Sequence, residues 1–100
     1  MKKFWLALLT LIATYQLQAQ FSITGKVTDS AGLPLIGVNV SEQATGRGTV
    51  TDVDGAYALE VSSKDAVIEF SYVGYMTMEV KVDGRDQIFI MMEEGINLGE

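Results

Sequence analysis

The chain contains no cysteine and no histidine among its 100 residues. Without cysteine there is no disulfide framework, no thiolate nucleophile and no lipid-modified cysteine at a mature N-terminus. Without histidine, the side chain that most often serves as a general base near neutral pH is missing. No serine stands in a Gly-x-Ser-x-Gly setting. Ser62-Ser63-Lys64 resembles a serine–lysine pair in composition only, because it falls in an inter-strand loop. Glu69 and Glu79 form a carboxylate pair on paper, but both have the outward parity of alternating strands and belong to a solvated face. The sequence therefore predicts no catalytic residue, no cofactor and no enzyme.

A long hydrophobic run is also lacking. Phe4 to Ala13 is apolar except for Thr10, about half of the ~20 residues needed to span a bilayer. Lys2 and Lys3 precede it, and Tyr15-Gln16-Leu17-Gln18-Ala19-Gln20 follows. A positive start, a short apolar stretch and a small residue after polar ones make a secretory signal peptide. Ala19 is the best cleavage position, although Leu17 is larger than the small residue preferred there. Residues 1–19 are thus expected to be removed, leaving no membrane span.

Basic residues are few once the leader is gone. Five remain against thirteen acidic ones, a net charge of −8. That balance argues against nucleic acid and anionic membrane surfaces as partners. An exported domain of 81 residues without a disulfide must rely on apolar packing or on docking to something larger.

What the chain does have is a period of two. Ile23, Gly25 and Val27 alternate with Thr24, Lys26 and Thr28, and after Ser30-Ala31-Gly32-Leu33-Pro34 the next inward set is Ile36, Val38 and Val40. Tyr57, Leu59 and Val61 follow, then Ile68, Phe70 and Tyr72, and beyond Gly74 come Met76, Met78, Val80 and Val82. The turn Asp83-Gly84-Arg85-Asp86 leads to Ile88, Ile90 and Met92, and Thr49 to Thr51 adds a short seventh strand. Apolar residues recurring at two rather than at three to four predict strands separated by turns. The expected fold is all-β, a seven-stranded antiparallel sandwich.

Two segments match each other. Gly25-Lys26-Val27-Thr28-Asp29 ending at Gly32 parallels Gly48-Thr49-Val50-Thr51-Asp52 ending at Gly55. Each reads as a strand closed by an aspartate at the first turn position, with glycine three residues on. Asp29, Gly32, Asp52, Asp54, Gly55 and Gly74 are therefore assigned to structural turns, and Gly74→Val should disrupt folding if Gly74 has a positive φ. A calcium loop fails here. With Gly55 as its sixth position, Val50 and Val61 fall where oxygen ligands are required. No metal site is predicted, and an irregular calcium site on Asp52 and Asp54 is the minor alternative. Gly46-Arg47-Gly48 is no phosphate loop, because no helix follows it.

Met76 and Met78 read as core rather than as a metal-binding pair. Phe89 and Met91 differ, because they make a second apolar face on a strand whose other face is Ile88, Ile90 and Met92. A strand apolar on both sides is either covered or waits for a partner. Phe89 and Met91 are the candidate partner-facing residues, with Tyr75 beside the Gly74 turn.

The stretch from Ile23-Thr24-Gly25-Lys26-Val27-Thr28-Asp29 through Gly32-Leu33-Pro34-Leu35-Ile36-Gly37-Val38-Asn39-Val40 resembles the opening of a carboxypeptidase-D regulatory-like domain. The resemblance continues at Gly46 to Gly48, Thr51-Asp52-Val53-Asp54-Gly55-Ala56-Tyr57, Phe70-Ser71-Tyr72-Val73-Gly74-Tyr75 and Val82-Asp83-Gly84-Arg85. It implies a transthyretin-like (prealbumin-like) sandwich over residues 20–94. It also implies the setting in which such domains occur, as periplasmic N-terminal extensions of SusC/RagA-type TonB-dependent outer-membrane transporters. Implied partners are the plug and barrel of the same transporter, TonB and a SusD-like lipoprotein. Residues 95–100 would begin a linker toward a TonB-box strand. The box itself is not in the 100 residues, so this stretch alone is expected not to bind TonB. The alternative is a stand-alone exported module that binds carbohydrate or a protein partner. Tyr57, Tyr72 and Tyr75 are its candidate stacking residues, although parity turns the first two inward. A calcium-stabilised adhesion module is a third and weaker reading.

Overall fold

The computed structural model describes residues 21–95. The leader and its cleavage position lie outside the described residues. The described residues form seven strands: β1 (Phe21–Thr28), β2 (Asn39–Glu42), β3 (Gly48–Val50), β4 (Ala56–Val61), β5 (Val67–Ser71), β6 (Met78–Lys81) and β7 (Ile90–Met91). They make two sheets, ordered β4-β1-β7 and β3-β2-β5-β6. Each sheet buries one parity of side chains and leaves the other to water, so period two in sequence becomes two facing apolar layers. Phe70, Ile23, Ile68, Met92 and Val40 are all fully buried between them. The layers meet through aromatics, with Tyr57 of β4 edge-on to Phe70 of β5 at 5.5 Å and 75°.

β1 and β4 pair antiparallel from Phe21↔Val61 to Lys26↔Ala56. β2 pairs antiparallel with β3 and β5, and β5 with β6. The exception to the expected antiparallel order is β7, which runs parallel to β1 through Val27↔Ile90 and Thr28↔Met91. Adjacent hairpin strands must oppose each other. β7 instead arrives from β6 in the other sheet, over a turn in which Asp83 and Gly84 both have positive φ, so its direction is free of that constraint.

The two matching turns share one construction. Asp29 Oδ1 accepts from the amides of Ala31 and Leu33, both at 2.9 Å. Asp52 Oδ1 accepts from those of Asp54 and Ala56 at 2.9 and 3.0 Å. Gly32 and Gly55 close them at φ of 85° and 73°. Gly55 has a second reason to lack a side chain, since a Cβ there would lie 2.5 Å from the Val27 carbonyl oxygen. Gly74 also has a positive φ, 85°, with open space around it, so a larger residue meets backbone strain without a steric clash.

Parity misplaced three side chains. Leu35 is buried and Ile36 is 52% exposed, the reverse of the expectation. The buried Thr51 hydroxyl donates to the Leu35 carbonyl and accepts from the Val38 amide, and Gly37 turns the chain at φ 86°. Strand alternation therefore starts only at Val38. Met76, read as core, is 56% exposed, because β6 begins two residues later. Tyr72 is half-buried against the core rather than enclosed by it.

One buried acid escaped the sequence reading. Glu42 continues the inward series Val38, Val40 and is fully buried. Its carboxylate accepts from the Ser62 amide and hydroxyl and from the Thr45 hydroxyl, tying the β2–β3 turn to the β4–β5 turn. Burial alone would raise its pKa, but the Ser62 and Thr45 hydrogen bonds and the Arg47 charge outweigh it and hold the carboxyl below its ordinary value of 4.5. A depressed folded pKa stabilises the fold above the unfolded value and loses that contribution as pH falls through the folded one. Glu42→Gln is expected to be less stable at pH 7 by about 1–3 kcal/mol, the usual loss for charge-assisted hydrogen bonds. It should also show a flatter decline on acidification below pH 4.5. Urea titrations at pH 7 and pH 3 check this, and parallel declines for parent and variant would refute it.

Candidate functional site

The site lies along the outer edge of β7. The Asp83-Gly84 turn feeds this segment, and the Arg85 side chain fixes the turn by donating to the carbonyls of Val82 and Lys81. The segment then docks on β1. Thr24 N donates to Asp86 O at 2.9 Å, Ile88 N to Thr24 O at 2.9 Å and Met92 N to Thr28 O at 2.8 Å. Between these bonds the Ile88 carbonyl turns toward Gly25 and accepts from the buried Tyr57 hydroxyl at 2.8 Å. Burial pushes the Tyr57 phenol up to about 12, with the Arg85 charge pulling in the opposite direction.

Even-numbered residues of the segment thus face β1, and by strand alternation the odd-numbered ones direct their backbone groups outward. Part of that outer edge is filled by the chain itself. Met76 N donates to Glu93 O at 2.9 Å, Gly95 N donates to Gly74 O at 3.0 Å, and Tyr75 bridges Glu94 antiparallel. Gly95, assigned by sequence to the linker, is therefore still tied to the sandwich. Tyr75, expected beside the Gly74 turn as a partner-facing residue, is half-buried against the core with its ring 5.6 Å from that of Tyr72. Burial, with the negative charges of Glu94 and Asp29, raises its pKa. It forms the wall at the end of the edge.

Phe89 and Met91 occupy the remaining part. They are 71% and 57% exposed. A hollow of about 430 Å³ lies beside them, lined by Lys26, Thr28, Phe89, Ile90 and Met91. A notch of about 210 Å³ is lined by Met76, Thr77, Met78, Met91 and Glu93. Met76 was missed as part of this surface because parity placed it in the core. Flexible thioether side chains suit a surface that must adapt to what it contacts.

The other sequence candidates do not converge on this edge. Asp29 and Asp52 spend a carboxylate oxygen on turn amides, and Asp54 contributes its own amide to the Asp52 turn. Among the described residues, no group of three or more His, Cys, Asp or Glu is placed to hold a metal ion. Glu69 and Glu79 stand opposite each other in β5 and β6, and Gln43 Nε2 donates to Glu79 at 2.7 Å. Ser62 is engaged with Glu42 rather than with Lys64. Among the described residues, no helix is long and apolar enough to cross a membrane. The edge offers backbone groups and apolar side chains.

Comparison with known proteins agrees with this architecture. In the solved structure of a type II Cohesin-X-Dockerin complex from Acetivibrio cellulolyticus, one chain matches with a TM-score of 0.61 at 20% identity, covering 75% of this chain and 58% of that one. At that identity the likeness concerns the fold alone. TonB-dependent receptor P3 of Formosa agariphila is 36% identical over 86 residues, 85% of this chain and 9% of the receptor. TonB-dependent receptor SusC of Bacteroides thetaiotaomicron is 34% identical over 71 residues, 71% of this chain and 7% of the receptor. The chain spans less than a tenth of the length of these relatives. The family model of the CarboxypepD_reg-like domain matches residues 23–100. With that match over most of its length, on a two-layer β-sandwich, the chain belongs to the CarboxypepD_reg-like domain family.

Proposed function

We propose that residues 20–94 form a non-catalytic accessory domain of a SusC-like TonB-dependent outer-membrane nutrient transporter, exported behind a leader at 1–19 and held in the periplasm as the transporter's N-terminal extension. The observation that carries this reading is the similarity of 71–85% of the chain to TonB-dependent receptors many times its length. In that setting the plug and barrel are in the same polypeptide, and TonB and a SusD-like lipoprotein are the outside partners. The domain acts by holding a neighbouring segment, and Phe89 and Met91 are the side chains that face it.

The stand-alone, carbohydrate-binding alternative draws less support. A sugar platform needs exposed flat rings. Tyr57 is buried, and Tyr72 and Tyr75 are half-buried and tilted toward each other at 44°.

The test is removal of residues 21–94 from the transporter gene in its own host, with outer-membrane abundance checked by immunoblot. Uptake of the transporter's nutrient should fall while the amount of barrel is unchanged. Uptake at the parental rate would overturn the proposal. So would a stop codon directly after codon 100.

A further inference from the structure

We infer that the outer edge of β7 is a strand-accepting site, and that its occupant is an extended polypeptide segment with alternating apolar side chains and basic flanks. Three observations carry this. First, the edge is half complete. Gly74 to Met76 already pairs with Glu93 to Gly95, while the outward backbone groups of Phe89 and Met91 continue the same line with no neighbouring strand among the described residues. An added strand would extend a pairing the protein itself has started. Second, Gln87 to Met92 carries no charge and no proline, two of the devices that protect an exposed edge, and relies instead on the shortness of β7, two residues. The exposed Phe89 and Met91, with the Met76–Met78–Met91 notch beside them, supply pockets for alternate side chains of an incoming strand.

Third, charge selects the occupant. Asp83, Asp86, Glu93 and Glu94 bracket the edge at its two ends, against Lys26 in the hollow between them and Arg85, whose guanidinium is already donating to backbone carbonyls. A second copy of the chain would bring the same acidic excess against it. A segment with lysine or arginine at its ends meets opposite charge at both. The inference rests on the accessory-domain reading only for the source of the segment.

The experiment titrates the chain, leader removed, with the end-blocked octapeptide Lys-Thr-Val-Thr-Val-Thr-Val-Lys and follows backbone amides by NMR. The amides of Phe89 and Met91 should shift and gain protection from exchange, with half-saturation below about 1 mM. A glutamate-flanked peptide of the same core should bind about tenfold more weakly at low salt. A version N-methylated at alternate residues should give no protection. The folded double variant Phe89→Lys, Met91→Lys should lose the response to the basic peptide. Unmoved Phe89 and Met91 amides, equal binding of the N-methylated peptide, or self-association through these amides without peptide would each overturn the inference. Failure of the peptide arms together with loss of uptake on domain removal would overturn strand addition alone and leave the accessory role standing.

Discussion

Gly25→Ala is expected to unfold the domain or to lower its melting temperature by more than about 8 °C. A Cβ at position 25 would lie 1.8 Å from the Ile88 carbonyl oxygen, 2.7 Å from its carbon and 2.9 Å from the Tyr57 hydroxyl. The nearest atoms are backbone, so no rotamer change relieves the contact. Either β7 moves off β1 or Tyr57 loses its acceptor. Overpacking costs about 1–3 kcal/mol, and a buried hydroxyl left without its partner costs about 1–3 kcal/mol more. Together these approach the whole stability of a small domain, often only ~5–15 kcal/mol. Tyr57→Phe separates the two effects, because it removes the hydroxyl and leaves the space over Gly25 intact. It should cost about 1–2 kcal/mol. Thermal melts followed by circular dichroism decide the matter. A Gly25→Ala variant melting within about 3 °C of the parent would mean that Ile88 does not pack on Gly25.

Phe70→Ala should be comparably damaging. Phe70 is fully buried in β5, has Val40 and Met78 beside it in register on the neighbouring strands, and meets the Tyr57 ring across the sandwich. Truncating a buried aromatic costs about 3–5 kcal/mol, which for a domain of this size is a fall of about 12–40 °C in melting temperature. Phe70→Leu keeps most of the volume and should lose less than about 2 kcal/mol. A Phe70→Ala protein within a few degrees of the parent would place the core elsewhere.

Both residues were legible as inward positions, because a strand repeats its facing every two residues and the apolar ones declare the buried side. The two aspartate turns were legible for a similar reason, since their hydrogen bonds run only two to four residues along the chain. The readings that failed did so where a contact distant in sequence interrupted the alternation. Ile36 was misplaced because Thr51, fifteen residues further on, pins the loop at Leu35 and Val38. Met76 was misplaced because the Gly74–Met76 segment pairs with Glu93–Gly95 before β6 begins. Glu42 followed the inward parity, yet an acid has no apolar signature to show that it is buried. Its hydroxyl partners come from separate turns.

The candidate site divides in the same way. Phe89 and Met91 stood out in sequence as an apolar face left over once Ile88, Ile90 and Met92 were assigned inward. Their exposure, the notch shared with Met76, and the filling of one end of the edge by Tyr75 could not be read there. Sequence by itself determined an all-β sandwich of seven strands, its Asp–Gly turns and most of its core, because alternation and turn chemistry act over a few residues. Only the tertiary structure decided that β7 runs parallel to β1, that Gly25 must be bare to admit the Ile88 carbonyl, and which stretch of edge has no strand beside it among the described residues. Those outcomes depend on which strands become neighbours across the two sheets, a property of the closed fold that no local pattern encodes.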